Sequence, residues 1–286
     1  MRGRGAFVLL LAAVAMVAMR PRGSDADGVV KVMTFNIQHG INESGKYNLQ
    51  RAIDTIAKIQ PDVVGLQEVT RNHPYYNCDD QPAKLAEGLK AATGRAWSVA
   101  YEQEWFTPNV ECRDSGRGDG KETEGLAFLS PAPLGATAML VLPASRIAFT
   151  AKPQALGGTP ITVTHLASGK NNGPQRSKQV EALVKWSDKY GAVQLVVGDF
   201  NLTAQEPELQ PMLTMFRDAW TDGKGAGSAT GVEGTHGAKR IDFIFVKGDA
   251  LQLVGVETVE TAGWFGKAAS DHRPVVARFR LAHGVK

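Results

Sequence analysis

Apolar positions along this chain repeat with two alternating periods. Runs of strand length occur at Val29–Ile37, Asp62–Val69, Trp97–Tyr101, Gly125–Ser130, Ala136–Leu142, Ile147–Lys152 and Ile161–Leu166. They resume at Gln194–Gly198, Ile241–Lys247, Leu251–Val259 and Val275–Leu281. Helical spacing appears between them. Asn48–Ile59 carries Leu49, Ile53, Ile56 and Ile59 on one face and stops at Pro61, and Pro82–Thr93 carries Leu85, Ala86 and Leu89 and ends at Gly94. Pro174–Tyr190 opens on a proline and turns Val180, Leu183 and Val184 inward, while Leu209–Phe216 reads as a short helix. With no internal repeat and no low-complexity linker, residues 28–282 read as one α/β domain of mixed sheets flanked by helices. Arg71–Gln81 and Glu102–Glu124 read as long loops, and loops of that length in a compact domain are usually functional or mobile.

The first residues break this pattern. Arg2 and Arg4 precede the apolar run Ala6–Met19, and Arg20 and Arg22 follow it. A run shorter than the ~20 residues of a spanning helix, behind a positive start, reads as a signal peptide over residues 1–23, with an uncleaved anchor as the alternative. The protein is therefore expected to be secreted or periplasmic. Four of the 32 basic residues lie in this leader and no acid precedes Asp25, so the remainder carries 28 basic against 29 acidic residues, a net charge of −1. The calculated pI of 8.8 thus gives no argument for a strongly basic nucleic-acid binder. Export also bears on Cys78 and Cys112, which read as a disulfide tying the two loops together; two free thiols are the alternative.

Polar residues recur where apolar strands end. Asn36 closes Thr-Phe-Asn-Ile, Glu68 follows Gly-Leu-Gln, and His165 closes Thr-Val-Thr-His. Asp199 and Asn201 end the next strand, Asp242 opens another, and Asp271 and His272 precede the last. Each has a bland reading: Asn36 as a turn cap, Gly-Asp-Phe-Asn as an Asx turn, Asp242 as an ion pair with Arg240. Together they form an oxygen-rich set on one rim, suited to a hard divalent cation, Mg²⁺ with Mn²⁺ as a substitute, and to attack of water on a phosphoester. Thiolate and clustered imidazole for zinc are missing.

The ordered motifs Thr-Phe-Asn-Ile (34–37), Leu-Gln-Glu-Val (66–69), Gly-Leu-Ala-Phe-Leu-Ser (125–130), Thr-His-Leu (164–166), Gly-Asp-Phe-Asn (198–201), Arg-Ile-Asp-Phe-Ile-Phe (240–245) and Ser-Asp-His-Arg-Pro-Val (270–275) resemble the endonuclease/exonuclease/phosphatase superfamily. The resemblance runs from about Val29 to Leu281. It implies a four-layer α/β/β/α sandwich and a metal-dependent hydrolase of phosphoester bonds. It makes Glu68, Asn36 and Asp271 metal ligands, His272 the catalytic histidine oriented by Asp242, and Asp199 the carboxylate that handles the water. Asn201 and His165 fall on the phosphate, with Glu124 as a candidate partner of His165. His39 and Arg176 flank the motifs as candidate substrate contacts, with Arg176 in a first helical turn alternatively the anchor of a site loop; Trp105 and Phe106 form an apolar lip or pack under the loop.

A phosphodiesterase is the leading expectation. The alternatives are a secreted nuclease on DNA or RNA, a lipid or inositol phosphate phosphatase, and a non-catalytic binding domain of the same fold. The partner is a phosphoester: a nucleic acid, a lipid head group or a small phosphodiester. Nothing in the sequence implies a stable protein partner, and the chain reads as a monomer.

Overall fold

A computed structural model of the protein describes residues 28–282 except Asn109; the leader at residues 1–23 lies outside the described residues. The strands run β1 (Val29–Asn36), β2 (Val63–Arg71), β3 (Ser98–Pro108), β4 (Lys121–Ser130), β5 (Thr137–Leu142), β6 (Arg146–Ala151) and β7 (Ile161–His165). They continue with β8 (Gln194–Asp199), β9 (Arg217–Asp218), β10 (Ala229–Gly231), β11 (Asp242–Lys247), β12 (Leu251–Thr258) and β13 (Val275–Leu281). The helices are α1 (Gln50–Ile59), α2 (Gln81–Thr93), α3 (Glu111–Asp114), α4 (Gly173–Ser187), α5 (Gln210–Met215), α6 (Ala219–Gly225) and α7 (Ala262–Phe265).

Thirteen strands form two mixed sheets, β10-β12-β13-β1-β2-β4-β3 and β5-β6-β7-β8-β11-β9. Strand alternation decides how they pack, because successive side chains point to opposite faces. Val30, Val32, Val63, Leu126 and Phe128 of the first sheet meet Phe149, Val163, Val197, Ile244 and Val246 of the second in a central core. The other parity, Met33, Phe35, Val64, Leu66 and Leu129, packs on Ile53, Ile56, Leu85 and Leu89 of α1 and α2. Val196, Phe243 and Phe245 pack on Val180, Leu183 and Met212 of α4 and α5. Helix, sheet, sheet, helix: this is the expected four-layer sandwich.

The expected loop Glu102–Glu124 is mostly a hairpin. β3 continues to Pro108 and pairs antiparallel with β4, which begins at Lys121. The polar run Glu102-Gln103-Glu104 lacks apolar alternation, so periodicity stops short of the strand. Arg71–Gln81 also shrinks, with β2 reaching Arg71 and α2 starting at Gln81, its Asp80 side chain capping Ala83 N. Cys78 and Cys112 are disulfide-bonded across these two segments. Among the described residues no helix is long and apolar enough to cross a membrane. The disulfide accords with an extracellular or otherwise oxidising location.

Candidate active site

Strand register builds the site. Parallel pairing sets His165 of β7 opposite Asp199 of β8, and antiparallel pairing sets Asp242 of β11 opposite the same Asp199. Three polar residues thus lie abreast on one rim. Close approach of β7 and β8 needs Gly198, at φ +144°, where a Cβ would strike the Thr164 carbonyl oxygen. In the first sheet, pairing between β2 and β4 shifts between Leu66 and Val69, and Glu68 adopts φ +56°. A bulge of this kind re-aims a side chain. It brings Glu68 to Asn36, whose Nδ2 donates to Glu68 Oε1 at 2.9 Å and to Asp199 Oδ2 at 3.2 Å, joining the rims of the two sheets.

His272 lies just ahead of β13 with Nδ1 2.9 Å from Asp242 Oδ2 and Nε2 3.7 Å from Asp199 Oδ2. Burial alone would depress its pKa, but Asp242, helped by Asp199 and Asp271, overcomes burial and raises it to about 10. Both ring nitrogens then carry protons at neutral pH. Asp199 is pushed upward by burial and by Asp242, against His272, the Asn201 N–H and the Asn36 amide. The backbone of Asp242 is fixed by Thr235, whose hydroxyl accepts from Ile241 N at 3.0 Å and Asp242 N at 3.1 Å. Arg240 pairs with Asp218 at 2.8 Å, so Asp242 is free of the ion pair that its neighbour in sequence suggested.

The opposite wall holds a second histidine. His165 Nε2 lies 3.5 Å from Asp199 Oδ2, and its Nδ1 lies 3.2 Å from Arg146 Nη1. Burial first, then Arg146 and His272, hold this imidazole well below its ordinary pKa. The same Arg146 nitrogen donates to Glu104 Oε2 at 2.9 Å. Glu124 sits within 4.8 Å of Glu104 and His165, but its ion-pair partner is His39, whose Nδ1 is 3.7 Å from Glu124 Oε2. The neighbour of His165 Nδ1 is therefore Arg146, not Glu124. His39 also reaches Glu68 Oε2 at 3.2 Å and stacks on Tyr76 at 5.2 Å between ring centroids. Burial and the surrounding carboxylates raise Glu124 to about 8, and burial raises Glu104 to about 7.

The remaining expected residues are placed as follows. Asp271 is half exposed; its Oδ2 accepts from Gln38 Nε2 at 3.0 Å, and Gln38 N donates to Asn36 Oδ1 at 3.0 Å, linking Asp271 to Asn36. Asn201, at φ +50°, donates its backbone N–H to Asp199 Oδ1 at 2.8 Å and its amide to Leu166 O at 3.0 Å. Arg176 is buried and its Nη1 donates to Ala167 O at 2.9 Å and Gly169 O at 2.8 Å, which anchors the loop after His165. Phe106 is exposed on β3 and Trp105 half-buried.

Periodicity missed Glu104, Arg146 and His236. Glu104 is the residue left over at the shift in β3–β4 pairing between Gln103 and Trp105, and a bulge leaves no mark in an apolar pattern. Arg146 is a lone basic residue at the start of β6. His236 stands over His272 at 4.7 Å between ring centroids and 3.5 Å from Asp271, with only a Gly-Thr-His turn to announce it.

Among the described residues, three groups bring ligand-type atoms within 4.8 Å of one another: His236, Asp271 and His272; Glu104, Glu124 and His165; Asp199, Asp242 and His272. Asp242 Oδ1 and Glu104 Oε1 are buried without a hydrogen-bond partner. Both cysteines are in the disulfide, leaving oxygen and imidazole donors. Glu68 and Asn36 fall in none of these groups; with Asp271 they offer oxygen donors alone, which fits a hard divalent cation.

A two-sheet sandwich thus gathers carboxylates, amides and two oppositely wired histidines on one rim. The chain belongs to the Endonuclease/Exonuclease/phosphatase family, whose model matches residues 33–272; its members are typically metal-dependent phosphoester hydrolases. An endonuclease/exonuclease/phosphatase from Beutenbergia cavernae is 25% identical with a TM-score of 0.65, covering 89% of this chain and 72% of that one. The human Nocturnin catalytic domain with bound sulfate is 19% identical with a TM-score of 0.63, covering 91% and 97%. D. rerio TDP2 complexed with a single-strand DNA product is 16% identical with a TM-score of 0.62, covering 88% and 99%. At such identities these last two establish the fold alone. No protein of curated function matches the sequence itself.

Proposed function

We propose that the chain is an exported, divalent-metal-dependent phosphodiesterase, a reading carried by the pairing of His272 with Asp242 at 2.9 Å beside Asp199. Glu68, Asn36 and Asp271 would hold the cation, Mg²⁺ or in its place Mn²⁺, with Gln38 keeping Asn36 and Asp271 in register. When bound, the metal supplies positive charge against the phosphoryl oxygens. Asp199 accepts a proton from the attacking water at Oδ2, the oxygen faced by both histidines. His272 keeps its Nδ1–H on Asp242 and offers its Nε2–H to a phosphoryl oxygen. Asn201 and His165 line the same edge and orient the phosphate. Support comes from the family, from the register that aligns these groups and from the opposite electrostatic settings of the two histidines.

A nuclease is the second reading; TDP2, which shares the fold, is seen with a single-strand DNA product. Purified protein with Mg²⁺ should hydrolyse bis-p-nitrophenyl phosphate, and His272→Ala should remove that activity. A panel of plasmid and single-stranded DNA, sphingomyelin, phosphoinositides and nucleotides then separates the substrate classes. Equal inertness of wild type and His272→Ala on every diester and monoester would end the enzyme reading. Export is tested by the N-terminal sequence of protein recovered outside the cytoplasm.

A further inference from the structure

We infer that Glu104 and Arg146 are a positioning pair that locks His165 as the neutral tautomer protonated on Nε2. The tautomer of a histidine is set by what its other nitrogen meets. Here Nδ1 meets Arg146 Nη1 at 3.2 Å. A guanidinium has five donors and no acceptor, so Nδ1 must present its lone pair and the ring proton must sit on Nε2. Nε2 in turn lies 3.5 Å from Asp199 Oδ2, an acceptor. An imidazolium at this position would set an N–H against an N–H of Arg146, like charge against like charge in a buried site.

Arg146 can do this only while its own position is fixed. Its Nη1 carries two hydrogens, and the second acceptor is Glu104 Oε2 at 2.9 Å. The Glu104 side chain has no solvent exposure. The pairing shift in β3–β4 between Gln103 and Trp105 is what turns Glu104 out of the strand and toward β6. Glu104, Glu124 and His165 are close enough together to suggest a cation cage. Arg146 answers that alternative, because its guanidinium already occupies the free lone pair of the imidazole and brings a positive charge of its own.

The two histidines of the rim therefore differ in wiring. His272 gives its Nδ1–H to a carboxylate, whereas His165 takes an N–H from a guanidinium. Resting on the phosphodiesterase reading, the consequence is a division of labour: His165 binds a phosphoryl oxygen as a neutral donor at every working pH and exchanges no proton with it.

Long-range ¹H–¹⁵N correlation spectra of the full, folded protein labelled with ¹⁵N-histidine read the tautomer directly, with and without Mg²⁺. From pH 5.5 to 8, His165 should show an unprotonated Nδ1 and a protonated Nε2. Protonated Nδ1, or an imidazolium in this range, overturns the inference. Arg146→Gln, which can donate or accept, should give a mixture of tautomers and lower kcat by about tenfold to a hundredfold with little change in KM, the range for outer partners that orient a histidine. Arg146→Lys keeps a donor and should restore the single tautomer. An unchanged tautomer in folded Arg146→Gln contradicts the positioning role. Activity is scored apart from the spectra: an inert enzyme with the expected tautomer removes only the phosphodiesterase reading, and an active enzyme with the wrong tautomer removes only this one.

Discussion

The two walls of the rim use the same kind of residue to opposite effect. On the β8–β11–β13 wall, His272 faces two carboxylates, and its pKa is raised to about 10. On the β3–β6–β7 wall, His165 faces Arg146 and is held well below its ordinary range. Both rings are buried, and burial pulls both pKa values down. The difference comes from the partners, since Asp242 at 2.9 Å together with Asp199 and Asp271 outweighs desolvation at His272, while a guanidinium adds to it at His165. A histidine's place in a motif thus leaves its protonation open; the group beside it decides.

Changes to the first wall should cost most. Chelation of the metal is expected to abolish hydrolysis, with recovery on adding Mg²⁺ or Mn²⁺, followed in a stopped assay. His272→Ala should lower kcat by roughly 10³- to 10⁴-fold, the scale of a positioned acid or base working with charge stabilisation. Steady-state kinetics of Asp242→Asn should show a similar loss, because the amide no longer favours the cationic ring. On the second wall His165→Ala should cost about tenfold to a hundredfold, since only a neutral hydrogen bond is removed. A His165 defect as deep as that of His272 would erase the comparison between the walls.

Smaller effects concern what braces the second wall. The Cys78–Cys112 bond spans 34 residues and ties the loop that carries Tyr76 and its stacked His39 to the β3–β4 hairpin. The double variant Cys78→Ser/Cys112→Ser should lose about 2–4 kcal/mol in denaturant unfolding, with a milder change in activity. Last comes Glu104, raised by burial from the ordinary 4.5 to about 7. A carboxyl raised on folding lends stability below its unfolded pKa and withdraws it as pH rises through the folded value. Metal-free wild type should therefore lose stability between pH 4.5 and 7 relative to Glu104→Gln, by on the order of 3 kcal/mol at most. Thermal melts of both proteins at pH 4.5 and pH 8 check the sign.

Much of the first wall was legible in the amino-acid order. Asp199, Asn201, Asp242 and His272 each sit next to a strong apolar strand, so strand ends and side-chain chemistry identify them together. Of the second wall only His165 was legible, with Glu68 on β2 and, through its flanking position, His39 legible beside it. Glu104 and the aim of Glu68 depend on two shifts in strand pairing, at Gln103/Trp105 and Leu66/Val69. Such shifts arise between strands distant in sequence and leave no periodic trace. For Arg176 the sequence left a substrate contact and a loop anchor open, and the Nη1 bonds to Ala167 O and Gly169 O make it an anchor of the loop after His165.

A cation held at Glu68 is what should let this rim cleave phosphodiesters. The most direct measurement is Mg²⁺-dependent turnover of bis-p-nitrophenyl phosphate by wild type and Glu68→Gln, with Mg²⁺ affinity of both measured by calorimetry. Saturable turnover is expected in wild type, together with weakened Mg²⁺ binding and turnover near background in the variant. Equal turnover and equal Mg²⁺ affinity in the two proteins would contradict it.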